Sequence, residues 1–237
     1  AVDDHPFLAA ARSWRYTRPP LDPGDLRQLR ATYYGMMAEV DAQVGRLLGA
    51  LDDMGATDDT IVVVTSDHGE MLGDHGLMGK LGFFDQAFHI PLVIRYPPVT
   101  GNSAGTGAVV EAFTENVDVM PTLLDLACIE VPRQCQGSTL RPWLEGTVPD
   151  EWRTAVHWEF DFRLFAGAVG LPGYLCNLAV HRDQRGKYVH FAGWPAVFYD
   201  LEVDPAEEEE LRVRVVAHQV PGPVDPPQGL RALEELG

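Results

Sequence analysis

The hydrophobic and polar positions near the start of the chain predict one long amphipathic helix. Asp22 supplies an N-cap, Pro23 takes the first helical position and Gly55 ends the helix. Apolar residues recur between them at spacings of three and four: Leu26, Leu29, Tyr33, Met37, Val40, Val44, Leu47 and Leu51. We expect this apolar side to pack on a sheet. Aromatic and methionine side chains are then expected in the core rather than around a pocket: Tyr33, Tyr34, Met36 and Met37.

Two strands are predicted after this helix. Residues 61–65 are all β-branched and show no polar alternation, which is typical of a strand that is buried on both faces. Residues 90–96 predict a second strand, and a short helix with Pro121 in its first turn begins at Asp118. This alternation predicts an α/β fold. Residues 1–21 predict irregular chain with a helical turn or two.

The pattern changes near residue 155 to short alternating runs separated by turn residues. Residues 183–186 (DQRG) have the composition of a hairpin turn, so we expect a small antiparallel sheet. We therefore divide the chain into a first domain, residues 1–150, and a small sheet subdomain, residues 151–237. Within the second, residues 205–214 are acidic and predict a solvated helix end, followed by a proline-rich tail.

Composition indicates a folded protein and limits its partners. Of the 237 residues, 46% are hydrophobic, which is enough for a substantial core. The net charge of -17 argues against nucleic acid or an anionic membrane as a partner, because both require a basic surface. No apolar run approaches the roughly 20 residues that a membrane helix needs.

The three cysteines of the chain indicate free thiols. Cys128, Cys135 and Cys176 form an odd number and have no CxxC spacing, so neither a disulfide framework nor a thiolate zinc site is predicted. Cys128 and Cys135 are near enough in sequence to pair under oxidation, which is the alternative. Free thiols favour a reducing compartment, and we expect a cytoplasmic protein.

The polar loop after the first strand contains the candidate metal ligands. Asp67 and His68 follow that strand directly, and ligands of open α/β sheets bind just beyond the carboxyl ends of the strands. In a tight turn both side chains can converge on one cation, and this pair suits hard to borderline divalent metals. A catalytic cation needs three or four protein ligands, so others must come from elsewhere. The alternative is a helix cap beside a hydrogen-bonded histidine.

Two further side chains of the same loop are candidates for catalysis. Lys80 could neutralise a tetrahedral oxyanion such as sulfate or phosphate. His75 could protonate a leaving group or donate a hydrogen bond. The ordinary alternative for Lys80 is an exposed surface lysine.

Several segments together resemble the sulfatase family of the alkaline phosphatase superfamily. SDHGEMLGDHGLMGK followed by FFDQAFHIPLVIRYP resembles its C-terminal metal-binding segment, and KYVHFAG with FYDLEVDPAEEEEL resembles its small C-terminal sheet. The resemblance covers nearly the whole chain. It implies an α/β fold that is part of an alkaline-phosphatase-like sandwich with a small C-terminal antiparallel sheet. The FDQAFHIPL and WEFDFR variants are most similar to the branch of phosphonate monoester hydrolases and arylsulfatases.

The resemblance also implies roles for individual residues. Asp67 and His68 match two metal ligands of the family, and Lys80 matches the lysine that contacts the sulfate or phosphoryl oxygens. The implied cofactor is a divalent metal, with calcium or manganese favoured over magnesium or iron. The implied substrate is a small anionic ester, and a homo-oligomer is compatible with the pattern.

The nucleophile of the family is missing from this sequence. The family uses a formylglycine made from a Cys or Ser in a C/S-x-P-x-R motif, and no cysteine or serine here stands in that motif. We therefore expect the C-terminal portion of a longer hydrolase, with the nucleophile outside this chain and the metal position unfilled in this portion alone. The alternative is a non-catalytic domain for metal binding or assembly, inactive as it stands.

Overall fold

The computed structural model describes residues 5–97, 107–208 and 211–212. The predicted proline-rich tail lies outside these residues. The first half of the chain contains α1 (Pro6–Ser13), α2 (Pro23–Asp53), β1 (Val62–Thr65), α3 (Asp85–Phe88) and β2 (Leu92–Arg95). The second half contains α4 (Val119–Leu126), α5 (Arg141–Leu144), β3 (Ala155–Asp161), α6 (Ala166–Val169), β4 (Asn177–Asp183), β5 (Gly186–Phe191), β6 (Val197–Asp200) and β7 (Leu211–Arg212).

Helix α2 has the predicted ends but not the predicted environment. Asp22 Oδ1 accepts hydrogen bonds from the Gly24 and Asp25 amides at 2.6 and 3.3 Å, and Gly55 follows the helix with a left-handed φ of 65°. None of the helix residues is buried, so the predicted packing on a sheet is wrong for the described structure. Three of the four predicted core side chains are more than half exposed: Tyr34, Met36 and Met37. Sequence periodicity identifies an apolar side but not what covers it.

Strands β1 and β2 form a two-stranded antiparallel sheet. Val62 lies opposite Arg95, and Thr65 lies opposite Leu92. The prediction of a strand buried on both faces is wrong here, because the side chain of Val64 is 40% exposed and that of Val93 is 61% exposed. All strand pairs in the described residues are antiparallel. A run of β-branched residues predicts a strand, but it does not specify its neighbours.

The second sheet confirms the antiparallel sheet that was predicted for the C-terminal part of the chain. Its five strands follow in the order β3-β4-β5-β6-β7. The predicted hairpin turn is closed by Asp183, whose Oδ1 accepts hydrogen bonds from the Arg185 and Gly186 amides, each at 2.8 Å. Within the acidic run, the predicted helix end is wrong, because Leu211–Arg212 forms strand β7 opposite Val197 and Phe198.

One apolar core connects the first part of the chain with this sheet. The short helix α1 contributes Phe7, which is 1% exposed and contacts the rings of Phe162 and Phe191 at centroid distances of 5.0 and 5.9 Å. The core also contains Met71 and Leu77 from the loop after β1. It therefore includes residues from both predicted domains, and the division near residue 150 stays a prediction.

A fully buried lysine of strand β5 is bonded to two carboxylates. The Lys187 ammonium lies 2.6 Å from Asp85 Oδ1 and donates a hydrogen bond to the Phe83 carbonyl at 3.0 Å. It also forms an ion pair with Glu207 Oε1, although that oxygen accepts no hydrogen bond. Arg182 reaches the same aspartate, with 3.0 Å between its Nη2 and Asp85 Oδ2. We call Asp85, Arg182, Lys187 and Glu207 the buried charge cluster.

The two carboxyl groups of the buried charge cluster have opposite pKa shifts. Burial raises the pKa of Glu207 above its ordinary value, against the opposing effect of Lys187. Burial also acts to raise the pKa of Asp85, but Lys187 and Arg182 together hold that pKa below its ordinary value. Glu207 is only 3% exposed, so the prediction of a solvated acidic run is wrong at this position.

Removal of the buried ammonium is expected to destabilise the protein strongly. Lys187→Met leaves the buried Glu207 carboxyl group without its cation and removes one of the two cations of Asp85, so it should lower the free energy of unfolding by about 3–5 kcal/mol. Arg185→Met is the matched control on the same hairpin, because it removes an ion pair with Glu202 from a guanidinium that is 80% exposed. That change should cost at most about 1 kcal/mol. Urea unfolding measures both, and equal losses would contradict the assignment.

Candidate functional site

The site loop, residues 66–84, connects β1 to α3 and is attached to α3 at its beginning. The Gly69 amide donates to the Ala87 carbonyl at 2.8 Å, and the Glu70 amide donates to the Gln86 carbonyl at 3.1 Å. A Cβ at Gly69 would stand 2.0 Å from the Gln86 oxygen. Only glycine permits this approach, so position 69 holds the start of the loop beside α3.

The side chains of Asp67 and His68 lie close together. His68 Nδ1 lies 2.8 Å from the Gly69 carbonyl, so the ring donates a proton there and Nε2 is the nitrogen that could bind a metal. That Nε2 lies 3.5 Å from Asp67 Oδ2, in a carboxylate that is 83% exposed. Metal bonds of about 2.0–2.4 Å fit two ligand atoms at this separation. The Nδ1 hydrogen bond is the usual support of a histidine ligand.

The described residues provide only part of a coordination sphere. No group of three or more His, Cys, Asp or Glu side chains within residues 5–97, 107–208 and 211–212 could hold one metal ion. The donor types of Asp67 and His68 fit a divalent cation.

His75 lies in the loop with its ring packed rather than exposed. It has a left-handed φ of 53°, and its ring stacks on Phe84 with 3.8 Å between centroids and 7° between planes. Its Nε2 lies 3.1 Å from Gln86 Nε2, which donates to it. Burial lowers the pKa of His75 from its ordinary value, while Asp74 opposes this and Arg12 adds to it. The imidazole is therefore neutral at pH 7, and its catalytic role stays a prediction.

Lys80 is exposed and follows the point where the loop returns to its own beginning. The preceding residue, Gly79, has a left-handed φ of 76°. Its carbonyl accepts a hydrogen bond from the Met71 amide at 2.8 Å, and its amide donates to Glu70 Oε1 at 2.5 Å. Lys80 therefore follows a residue that is hydrogen-bonded to Glu70 and Met71, which come two and three residues after His68.

Residues distant in sequence hold the middle of the loop, and sequence reasoning missed them. Arg30 of α2 donates through Nε to the Leu72 carbonyl at 2.7 Å, and its Nη2 lies 2.9 Å from Asp74 Oδ1. Arg12 of α1 donates to the His75 carbonyl at 2.8 Å. These contacts join backbone atoms to side chains far away in the chain. No local sequence pattern indicates them.

Two family models match this chain. The model described as Sulfatase matches residues 4–129. The model described as N-sulphoglucosamine sulphohydrolase, C-terminal, matches residues 73–221. Together they include the site loop and the five-stranded sheet.

Curated relatives are similar over most of the chain. It is 46% identical over 196 residues to the multifunctional alkaline phosphatase superfamily protein PehA of Trinickia caryophylli, a match that covers 81% of this chain and 38% of that protein. It is 37% identical over 210 residues to an N-acetylglucosamine-6-O-sulfatase of Bacteroides thetaiotaomicron, with 84% of this chain and 33% of that protein covered. The chain thus spans between 33% and 38% of the length of these relatives.

Solved structures show the same similarity in three dimensions. The phosphonate monoester hydrolase of Agrobacterium radiobacter matches with 51% identity and a TM-score of 0.73, over 77% of this chain and 37% of that chain. The phosphonate monoester hydrolase SpPMH of Silicibacter pomeroyi matches with 39% identity and a TM-score of 0.76, over 84% of this chain and 41% of that chain. These matches confirm the predicted fold class.

Substitution of Gly69 tests the attachment of the loop to α3. Gly69→Ala places a methyl group against the Gln86 carbonyl and should lower the free energy of unfolding by about 1–3 kcal/mol, as overpacking does. Gly49→Ala is the control, because a Cβ there meets nothing within 4 Å on the exposed helix α2. That change should raise stability by up to about 1 kcal/mol through helix propensity. Opposite signs in urea unfolding are expected, and a stabilising Gly69→Ala would contradict the close approach.

The lowered pKa of His75 predicts a pH dependence of stability. The unfolded chain binds a proton near the ordinary value of 6.5, whereas the folded state binds it only at lower pH. The contribution of His75 is therefore complete above pH 6.5 and is lost as the pH falls from there through the folded-state pKa. His75→Phe keeps a ring against Phe84 and should remove this part of the slope. An unchanged slope in unfolding measurements across that range would refute the prediction.

Proposed function

The chain belongs to the sulfatase family of the alkaline phosphatase superfamily, and we propose that it supplies part of the active site of an enzyme that hydrolyses sulfate or phosphonate esters. The observation that carries this proposal is the paired Asp67 and His68, with 3.5 Å between their ligand atoms. They lie in the segment that the sequence motif and the match to the Sulfatase model both cover. The names of the relatives, which include sulfatases and phosphonate monoester hydrolases, support the reaction class.

Asp67 and His68 would hold a divalent cation. We propose calcium or manganese, with magnesium or iron as alternatives, because a carboxylate and an imidazole that are completed by oxygen ligands form a hard to borderline donor set. When bound, such an ion polarises the ester oxygens and lowers the pKa of the nucleophile. The chain's own contribution is to fix the imidazole, since the Nδ1 hydrogen bond to Gly69 aims Nε2 at the Asp67 carboxylate.

Lys80 and His75 are proposed to act on the substrate. The Lys80 ammonium would stabilise the negative charge that the sulfate or phosphonate oxygens carry in the transition state. His75 accepts from Gln86 through Nε2, so its neutral ring carries the proton on Nδ1. That N–H is the group it offers to a leaving-group oxygen. The substrate is proposed to be a small anionic ester, which these positive and donor groups would bind.

The nucleophile is proposed to be of the formylglycine type and to lie outside this chain. Cys128, Cys135 and Cys176 do not stand in the C/S-x-P-x-R motif. A two-residue metal position also favours a second candidate, in which these 237 residues by themselves are a non-catalytic unit for metal binding or assembly. Ester hydrolysis by the 237 residues alone would refute that second candidate.

Within the described residues, no helix is both long and apolar enough to cross a membrane.

Substitution of Asp67 tests the proposed activity in the enzyme that contains this chain. Asp67→Asn removes a metal-binding charge and should lower turnover of p-nitrophenyl sulfate or p-nitrophenyl phenylphosphonate by about 100-fold or more. Asp58→Asn is the matched control, because Asp58 is exposed in the turn before β1. Activity should be unchanged in that variant. Full turnover by Asp67→Asn with both substrates would refute the metal assignment.

A further inference from the structure

The half-buried carboxylate of Glu70 closes the site loop between the metal ligands and Lys80. Its Oε1 accepts a hydrogen bond from the Leu72 amide at 3.3 Å and another from the Gly79 amide at 2.5 Å. Hydrogen bonds from amides to an ionised carboxylate are stronger than those between neutral groups. Glu70 thus joins the two ends of the segment that separates His68 from Lys80.

Glu70 is itself held in place by backbone bonds. Its amide donates to the Gln86 carbonyl at 3.1 Å, next to the bond between Gly69 and Ala87. The side chain therefore extends from a fixed point beside α3. The carboxylate in turn fixes the position of Gly79, because it accepts a hydrogen bond from the Gly79 amide.

Gly79 is bonded through both of its backbone polar groups. Its amide donates to Glu70, and its carbonyl accepts from the Met71 amide at 2.8 Å. Its φ of 76° is left-handed, a conformation that glycine adopts readily. These two bonds fix the peptide units on either side of Gly79, and Lys80 follows directly.

We propose that Glu70 is a positioning residue for Lys80, which it places toward the substrate anion through the Gly79 amide. This inference rests on the proposed function, because it assumes that Lys80 contacts the ester. The carboxylate of Glu70 is bonded to the Leu72 and Gly79 amides, so its proposed effect on the substrate is indirect. Misplacement of a catalytic group by about 1 Å can lower the rate by about 100-fold. Loss of the carboxylate should therefore act through Lys80 and not through the fold as a whole.

A double-mutant cycle in the enzyme that contains this chain tests the proposal. The variants are Glu70→Ala, Lys80→Ala and the double variant, assayed with p-nitrophenyl sulfate and p-nitrophenyl phenylphosphonate. We expect Glu70→Ala to lower kcat/KM by about 10- to 100-fold. In the Lys80→Ala background the same change should lower it by less than about 2-fold, because residues that act as a unit are not additive.

Two further variants separate positioning from a general effect on structure. Glu70→Gln keeps an oxygen that accepts from the Gly79 amide, so it should restore kcat/KM to within about 3-fold of the parent enzyme. Asp58→Ala removes an exposed carboxylate from the turn before β1 and leaves the contacts of Gly79 intact. It should change kcat/KM by less than about 3-fold.

The outcomes distinguish this inference from the proposed function. Equal losses for Glu70→Ala in both backgrounds, or an equal loss in Asp58→Ala, would overturn the positioning role. Parent-like activity of Glu70→Ala beside an inactive Lys80→Ala would also overturn it while leaving the proposed function intact. Parent-like activity of Lys80→Ala would instead refute the role proposed for Lys80. Hydrogen exchange of the peptide containing Gly79 should become faster in Glu70→Ala and remain slow in Glu70→Gln, and the opposite order would count against the proposal.

Discussion

A buried ammonium group connects the site loop to the C-terminal sheet. Lys187 extends from strand β5 to Asp85, the first residue of α3, and α3 in turn holds Gly69 and Glu70 through its backbone carbonyls. The proposed metal ligands, Asp67 and His68, therefore lie at one end of a continuous series of bonds that begins in the sheet. Because buried charges require their partners, the sheet contributes to the geometry of the site although the candidate site side chains lie outside it.

The parts of the molecule that depend on neighbouring residues could be predicted from the sequence. The cap at Asp22, the turn closed by Asp183 and the adjacency of Asp67 and His68 each need only a few consecutive residues. Contacts over long separations could not be predicted in the same way. The acidic run around Glu207 looked solvated because its composition is polar, and its buried cation lies on a strand about 20 residues earlier.

Solvent exposure was the least predictable property. The periodicity of α2 and the β-branched run of β1 correctly indicated a helix and a strand, yet Met37 and Val64 are 53% and 40% exposed. Periodicity reports the direction of an apolar side chain relative to its own element. Burial also requires a second surface that covers the side chain, and that surface is a property of the whole fold. The chain spans only 38% of the length of the PehA relative.

The buried charge cluster also has a consequence for recombination between related enzymes. A chimera joined near residue 150 would take Asp85 from one parent and Lys187 and Glu207 from the other. The junction would lie in exposed chain, where it disturbs no helix or strand. Its success would nevertheless depend on whether the two parents agree at three positions far from the joint, of which Lys187 and Glu207 are buried. Parents for such exchanges are better chosen by matching these charges than by overall identity.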